Sequence, residues 1–80
     1  MRIPIRLPDL GDSAVKFSLW AVRPGDDVRE GERVAEVTIP GLVLDIVAPA
    51  AGLLAERFVN AGETLNAGHL LGNIETGNNP

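Results

Sequence analysis

The amino-acid sequence predicts an all-β fold in which two small antiparallel sheets pack face to face. Residues 22–37 are repeated, imperfectly but in register, by residues 59–74. Each copy alternates short apolar runs with glycine turns, a spacing natural for strands, and no window sustains a helical period with a cap at each end. Two halves built alike are expected to bury their apolar faces against each other. The repeat has six anchors: Val22 with Val59, Gly25 with Gly62, Val28 with Leu65, Gly31 with Gly68, Val34 with Leu71 and Val37 with Ile74.

The predicted strands follow one another through turns that proline and glycine define. Pro4 is tolerated in the first strand if that strand lies at a sheet edge, because its missing N–H then faces no neighbour. Pro24 and Gly25 suit a reverse turn, since proline presets a negative φ and glycine accepts a positive one. The strands are expected at residues 3–7, 15–22, 27–29, 33–39, 42–47, 53–59, 64–65 and 70–75, with a loop at 8–13 and a crossover at 48–52.

Composition indicates one small domain without a nucleic-acid or membrane partner. The 80 residues carry a net charge of -4 and scattered arginines, which argues against nucleic acid. Prolines and glycines interrupt every long apolar stretch, so neither a transmembrane helix nor a signal peptide is expected. The chain has no cysteine and therefore no disulfide or thiolate metal site. We expect a cytoplasmic domain at residues 1–75, with 76–80 as a disordered tail or the start of a linker.

The order and spacing of several short motifs are characteristic of one family. Leu-Pro-Asp-Leu-Gly at 7–11 is similar to its opening strand and loop, and residues 19–28 are similar to its tryptophan strand and Pro-Gly-Asp turn. Ala-Pro-Ala-Ala-Gly at 48–52 matches its crossover, and turns at 61–63 and 67–69 fall where its second half requires them. From residue 5 to residue 75 the chain thus resembles the lipoyl and biotinyl carrier domains. This resemblance implies a flattened β-barrel, or barrel-sandwich hybrid, of two quasi-symmetric four-stranded antiparallel sheets.

One position departs from the family pattern. The family's modified lysine stands in an Asp-Lys-Ala motif, or Met-Lys-Met for biotin, at the tip of the hairpin that links the halves. An ungapped alignment puts Pro40-Gly41-Leu42 on that motif, so Gly41 replaces the acceptor lysine. An amide bond to lipoate or biotin needs a primary amine, which glycine lacks, and we therefore expect no cofactor. The alternative acceptors are the Met1 amine and Lys16, the only lysine, which we expect to be an exposed strand residue.

The altered hairpin is the candidate interaction site. Pro40 and Gly41 suit the central positions of a type II turn, which would place Ile39 opposite Leu42 and continue the register to Glu36 opposite Asp45. Ile39, Pro40 and Leu42 would then form an apolar patch at a protruding turn. Such a patch is typical of a contact surface, so we expect the hairpin to dock against another chain or a second copy. The open alternative is that Ile39 and Leu42 pack inward as ordinary strand residues.

The remaining chemistry-bearing residues predict no catalytic or metal site. His69 is the only histidine and has no sequence-near cysteine or carboxylate at ligand spacing, so a surface turn residue is expected. Ser13 and Ser18 lack the glycine-framed elbow of a serine nucleophile. Glu36 facing Asp45 would be a mildly repulsive pair, for which a solvated surface is favoured over a cation site.

The three aromatic residues are predicted to serve the core. Phe17, Trp20 and Phe58 lie on the two long strands that would pack together. Core packing is therefore favoured over ligand stacking. The face on which Trp20 points depends on whether a β-bulge shifts the register of its strand.

Two functions from different classes remain open at this stage. The first is a non-enzymatic interaction or scaffold module that binds a protein partner, or itself, through the hairpin. The second is a carrier domain of a 2-oxo acid dehydrogenase acyltransferase or biotin-dependent complex, either degenerate, modified unusually at Lys16, or working beside a normal lysine-bearing domain. The resemblance makes 2-oxo acid dehydrogenase-like components candidate partners.

Overall fold

The computed structural model describes residues 1–11 and 14–77, and these ranges form strands and turns without a helix. The predicted strand order is confirmed, with ends displaced by at most two residues. No helix in the described ranges has the length and apolar character needed to cross a membrane. The strands are β1 (Arg2–Arg6), β2 (Val15–Trp20), β3 (Asp27–Val28), β4 (Arg33–Ile39), β5 (Leu42–Val47), β6 (Gly52–Arg57), β7 (Thr64–Leu65) and β8 (Leu70–Glu75).

The eight strands form two four-stranded antiparallel sheets with equivalent strand orders. One sheet has the order β1-β8-β6-β3 and the other β5-β4-β2-β7, so every strand has a counterpart at the same place in the opposite sheet. The short strands are exchanged, because β3 pairs with β6 and β7 pairs with β2. Neither half can therefore complete a sheet without the other. The predicted barrel-sandwich of two quasi-symmetric sheets is confirmed.

The repeated apolar anchors form the centre of the core. Val34 and Leu71 are fully buried, as are Val37 and Ile74, and the remaining apolar anchors lie close to complete burial. Phe17 and Leu54 form a further equivalent pair at the same offset. The described residues contain no buried polar or charged side chain. Stability therefore comes from apolar contact between the sheets, which is why the anchors are apolar in both copies.

The glycine turns of the two copies share one conformation. Gly25 and Gly62, which are equivalent in the repeat, have φ angles of 96° and 91°. Three of the four repeat turns are also closed by an acidic side chain, which accepts a main-chain N–H from three residues earlier. Such local bonds satisfy turn donors that no strand reaches. The donor and acceptor pairs are Arg23 with Asp26 at 2.9 Å, Arg29 with Glu32 at 2.9 Å and Asn60 with Glu63 at 2.6 Å.

The predicted loop and tail fall partly outside the described ranges, which omit residues 12, 13 and 78–80. In the described part of the loop, Asp9 Oδ1 accepts a hydrogen bond from the Gly11 main-chain N–H at 2.9 Å. At the other end, Thr76 donates its main-chain N–H to the Met1 carbonyl at 2.9 Å. The β1–β8 pairing thus extends one residue beyond β8.

Candidate functional site

The β4–β5 hairpin has the register that the sequence predicts. Ile39 lies opposite Leu42, and the pairing continues without a shift to Glu36 opposite Asp45. Gly41 has a φ of 77°, the positive value expected at the third position of a type II turn. A Cβ atom placed on Gly41 would meet nothing within 4 Å. The tip is therefore an open turn with space around the position where the family resemblance places the acceptor.

The sequence left open whether the apolar side chains at the tip are exposed or pack inward, and the structure contains both arrangements. Ile39 is half-buried and packs against the core, as the inward alternative predicts. Leu42 is 52% exposed, and Pro40 is exposed beside it. The next residue, Val43, is 55% exposed and was not part of the predicted patch. Neighbouring strand residues point to opposite faces, so Leu42 and Val43 expose apolar surface on different sides of the hairpin.

Arg33 changes the electrostatics predicted for the hairpin. Its Nε lies 3.1 Å from Asp45 Oδ1, and its Nη2 lies 3.1 Å from Glu36 Oε1. The predicted pairing of Glu36 with Asp45 is confirmed, but the predicted repulsion between them is offset, because the Arg33 guanidinium contacts both carboxylates. A register shift between Arg33 and Ala35 accompanies this arrangement, and sequence spacing does not reveal such shifts. In the described ranges no group of three or more acidic or histidine side chains could hold a metal ion.

Lys16 is the exposed strand residue that the sequence predicts, and it also lies near the hairpin. It is paired with Thr38 of β4 on one side and Thr64 of β7 on the other. Thr38 in turn faces Val43, so Lys16 is two strands away from β5. Sequence distance hides this proximity because antiparallel pairing joins remote segments. The lysine amine projects from an inner strand held on both sides, which differs from an acceptor on a turn.

The Met1 amine, the other alternative acceptor, takes part in an ion-pair network. Its nitrogen lies 2.7 Å from Glu75 Oε2, while Arg2 Nε lies 3.0 Å from the other oxygen of the same carboxylate. Arg2 also pairs with Glu56. The hydrogen bond from the ammonium and then that from Arg2 lower the pKa of the Glu75 carboxyl below its ordinary 4.5. These contacts join the start of β1 to the end of β8.

The three aromatic side chains differ in burial. Phe17 is buried and its ring centroid lies 5.2 Å from that of Trp20. Trp20 is half-buried, donates from Nε1 to the Val59 carbonyl at 3.0 Å and has the Arg57 guanidinium 6.0 Å above its ring. A register shift between Phe17 and Leu19 precedes Trp20, so the β-bulge on which its direction was expected to depend is present.

The core assignment of Phe58 was wrong. Phe58 is 48% exposed, because β6 ends at Arg57 and the next inward position belongs to Val59. Its main-chain N–H donates to the Leu71 carbonyl at 2.8 Å, which holds the backbone against β8 while the ring faces outward. The repeat contained a signal for this direction, because Val59 is one of its apolar anchors and the residue before it on an extended segment points to the opposite face.

The remaining candidates keep local structural roles. The carbonyl of His69 accepts the Leu7 N–H at 3.0 Å, and its own N–H donates to Asn66 at 3.0 Å. His69 thus occupies the turn position where the other three repeat turns carry an acidic residue. Ser18 lies within the register shift of β2, and Ser13 lies outside the described residues.

Comparison with known proteins agrees with this geometry. Residues 3–74 match the family described as biotin-requiring enzyme, Biotin_lipoyl. The solution structure of the lipoyl domain of the 2-oxoglutarate dehydrogenase complex from Azotobacter vinelandii superposes with a TM-score of 0.73. It is 29% identical, and the match covers 94% of this chain and 99% of that domain.

Curated relatives are much longer proteins. The dihydrolipoyllysine-residue succinyltransferase component of the 2-oxoglutarate dehydrogenase complex of Azotobacter vinelandii is 30% identical over 96% of this chain and 20% of its own length. The corresponding Haemophilus influenzae protein is 36% identical over 95% of this chain and 19% of its own length. A Bacillus subtilis lipoamide acyltransferase component of the branched-chain alpha-keto acid dehydrogenase complex is 34% identical over 92% and 18%. The chain spans about a fifth of the length of these relatives.

Proposed function

Since the chain belongs to the biotin and lipoyl domain family, we propose that it is a lipoyl-domain-like module that carries no prosthetic group and acts by binding another protein. One observation carries the proposal: Gly41 stands at the tip of the β4–β5 hairpin. The family resemblance puts the acceptor lysine at this position. Without an amine there, the domain keeps the carrier fold but lacks the group to which lipoate or biotin is attached.

The conformation of the hairpin supports this proposal. Pro40 and Gly41 form a turn of ordinary geometry, and the strands beside it keep their register to Asp45. The departure from the family motif therefore preserves the hairpin and removes only its chemistry. A hairpin retained without its acceptor is expected to serve a role that depends on shape.

Exposed apolar side chains supply the binding surface that we propose. Leu42 is 52% exposed at the turn, and Pro40 is exposed beside it. Completing the burial of these two side chains would contribute about 2 to 3 kcal/mol before entropy losses. That amount fits a weak, reversible contact. We propose that the partner is a component of a 2-oxo acid dehydrogenase-like assembly, by extension from the complexes named for the relatives.

A carrier function through Lys16 is the second candidate, favoured by the exposure of this single lysine near the hairpin. A swinging prosthetic group, however, is best served by attachment at a protruding turn. Lys16 lies on an inner strand whose backbone is paired on both sides. A domain that works beside a lysine-bearing carrier in the same assembly is compatible with the first proposal.

Intact-mass measurement after co-expression with lipoate and biotin ligases tests the absence of modification. We expect the wild-type chain to have the mass of its unmodified sequence with either ligase. An added lipoyl or biotinyl mass that disappears in Lys16→Arg would establish the carrier function and overturn the proposal.

The docking role of the tip has a separate test. Leu42→Lys should leave thermal unfolding nearly unchanged, because the side chain is already half in water, but should weaken association with a dehydrogenase component in analytical ultracentrifugation. Leu53→Lys, at a leucine of β6 that is 43% exposed in the other sheet, is the matched charge control. Unchanged association of Leu42→Lys would show that the tip is not the contact.

A further inference from the structure

The four sheet edges differ in how well they are protected against added strands. Edges are commonly blunted by short length, proline or charge. Strands β3 and β7 each have only two residues, and β1 contains Pro4 between Arg2 and Arg6. Strand β5 occupies the place equivalent to β1, yet its six residues, Leu-Val-Leu-Asp-Ile-Val, include no proline and one charge. In the part of the chain that the structure describes, β5 is thus the one long edge without these protections.

Alternate residues of β5 direct their main-chain groups away from the sheet. In a hairpin with a two-residue turn, the residues that flank the turn exchange hydrogen bonds, here Ile39 and Leu42. The next residue of β5, Val43, therefore turns its N–H and C=O toward the free edge, and the alternation continues with Asp45. Strand β4 is the only described strand that pairs with β5. An extended segment can therefore form a ladder along this edge.

The outer face of β5 presents an apolar, acidic, apolar row. Val43 is 55% exposed and Val47 is 49% exposed, with the carboxylate of Asp45 between them. Arg33 contacts Oδ1 of this carboxylate, and the Asp45 side chain is still 57% exposed. The equivalent strand β1 has arginines at its ends, so the apolar surface is particular to the β5 edge.

Charge identifies the kind of segment that fits this edge. Residues 26–47 contain six carboxylates and two arginines, so the whole net charge of -4 lies in this segment. The acidic turn at 29–32 adjoins the end of β5, because Ala48 donates to the Glu32 carbonyl at 2.8 Å and accepts from Gly31 at 2.8 Å. We propose that the β5 edge binds an extended basic segment of another protein as an added antiparallel strand, with valine-sized side chains against Val43 and Val47 and a lysine or arginine opposite Asp45.

A second copy of the chain fits this edge less well. Side chains of paired strands share a face only in alternate registers. Two antiparallel registers that meet this condition give the longest overlap between two β5 strands. One places Asp45 opposite Asp45 of the second copy, and the other places Asp45 opposite Val43 of the second copy. The first opposes like charges and the second places a carboxylate against an apolar side chain, so neither supplies a positive charge. The edge is thereby biased toward a basic partner.

Binding at the β5 edge rests on the proposed function and specifies the chemistry of the partner, but it involves the edge of β5 and not the hairpin tip. The two can fail independently. Leu42→Lys alters the tip and leaves the main-chain groups of the edge intact. A change at Val43 blocks the edge and leaves the turn intact.

The probe is a synthetic peptide, Lys-Thr-Val-Thr-Lys-Thr-Val-Thr-Lys, in which one face of the extended chain alternates lysine and valine. The control peptide has glutamate in place of each lysine. Binding is followed by titration calorimetry and by amide shifts in NMR spectra of the full chain. We expect saturable binding of the lysine peptide, shifts centred on Val43, Asp45 and Val47, and no binding of the glutamate peptide.

Two variants separate the edge from its surroundings. Val43→Pro removes an N–H that points away from β4 and should weaken binding at least about tenfold, whereas Leu42→Lys should change it less than about threefold. Asp45→Lys should bind the glutamate peptide more tightly than the lysine peptide. This variant tests the proposal even if Val43→Pro unfolds. Absence of binding, shifts centred on Leu53 or Phe58, or self-association that protects β5 amides would each overturn the proposal.

Discussion

Restoring the family motif at the hairpin tip should convert this domain into a substrate for lipoylation. The triple change Pro40→Asp, Gly41→Lys and Leu42→Ala writes Asp-Lys-Ala into the existing turn. The strands on both sides already have the required register, since Ile39 faces Leu42 and Thr38 faces Val43. We therefore expect a lipoate ligase to attach its group to the new amine.

The cost in stability can be worked out from the tip geometry. A Cβ atom at position 41 meets nothing within 4 Å, so lysine there bears only the penalty of a positive φ, about 1 to 2 kcal/mol. Truncating the half-exposed Leu42 costs about 1 kcal/mol, and replacing Pro40 raises the unfolded-state entropy by about 0.5 to 1 kcal/mol. The sum, about 2.5 to 4 kcal/mol, does not exceed the stability of a typical domain of this length, about 4 to 12 kcal/mol. The variant should fold, with a lower melting temperature.

Intact-mass spectrometry after co-expression with lipoate ligase measures the outcome. We expect the lipoyl mass on the triple variant and its absence from the wild type. Peptide mapping should place the group at position 41 and not on Lys16. A folded triple variant that stays unmodified would refute the reasoning that the missing amine alone separates this domain from carrier domains.

Three further changes test how the fold is held together. In a urea titration, Gly72→Ala should lower the free energy of unfolding by about 1 to 3 kcal/mol, because its Cβ would overlap the Glu56 carbonyl and lie 3.1 Å from Trp20. Gly77→Ala is the control and should have little effect, because a Cβ there meets nothing within 4 Å. Glu75→Gln should lower the melting temperature at neutral pH but not in strong acid. The lowered Glu75 pKa stabilises the fold above 4.5, and this contribution is lost as pH falls through the folded-state value, so an equal difference at both pH values would contradict the assignment. Arg33→Met should destabilise the hairpin at low salt by a few tenths of a kcal/mol up to about 1 kcal/mol. Adding Asp45→Asn to this variant should restore part of the loss, because it removes the repulsion between the two carboxylates. Thermal melts that do not depend on salt would contradict the ion pairs.

Side-chain direction was predictable where the strand period and the repeat agree. The equivalence of Val34 with Leu71 and of Val37 with Ile74 required each to face inward, and both pairs are fully buried. Phe58 was assigned to the core for its hydrophobicity, although the neighbouring anchor Val59 already required the inward position. An aromatic ring next to the end of a strand faces outward when the following residue takes the inward position, as Val59 does.

The candidate site was predictable in its backbone but not in its surroundings. The turn chemistry of Pro40 and Gly41 specified the hairpin and its register, because two residues leave few ways to reverse a chain. The approach of Arg33 to Asp45 and the proximity of Lys16 to β4 depended on register shifts and on cross-strand pairing. Both are long-range features that local residue preferences do not encode.

The order of apolar residues and glycine turns along the chain determined an internally repeated β-domain with no amine at its hairpin tip. These properties are local, because strand period and turn dihedrals depend on residues close together in the chain. Tertiary structure alone decided that the two halves exchange their short strands and that β5 is left as a long unprotected edge. Those outcomes depend on which distant segments pair, and pairing is settled by burying both apolar faces at once.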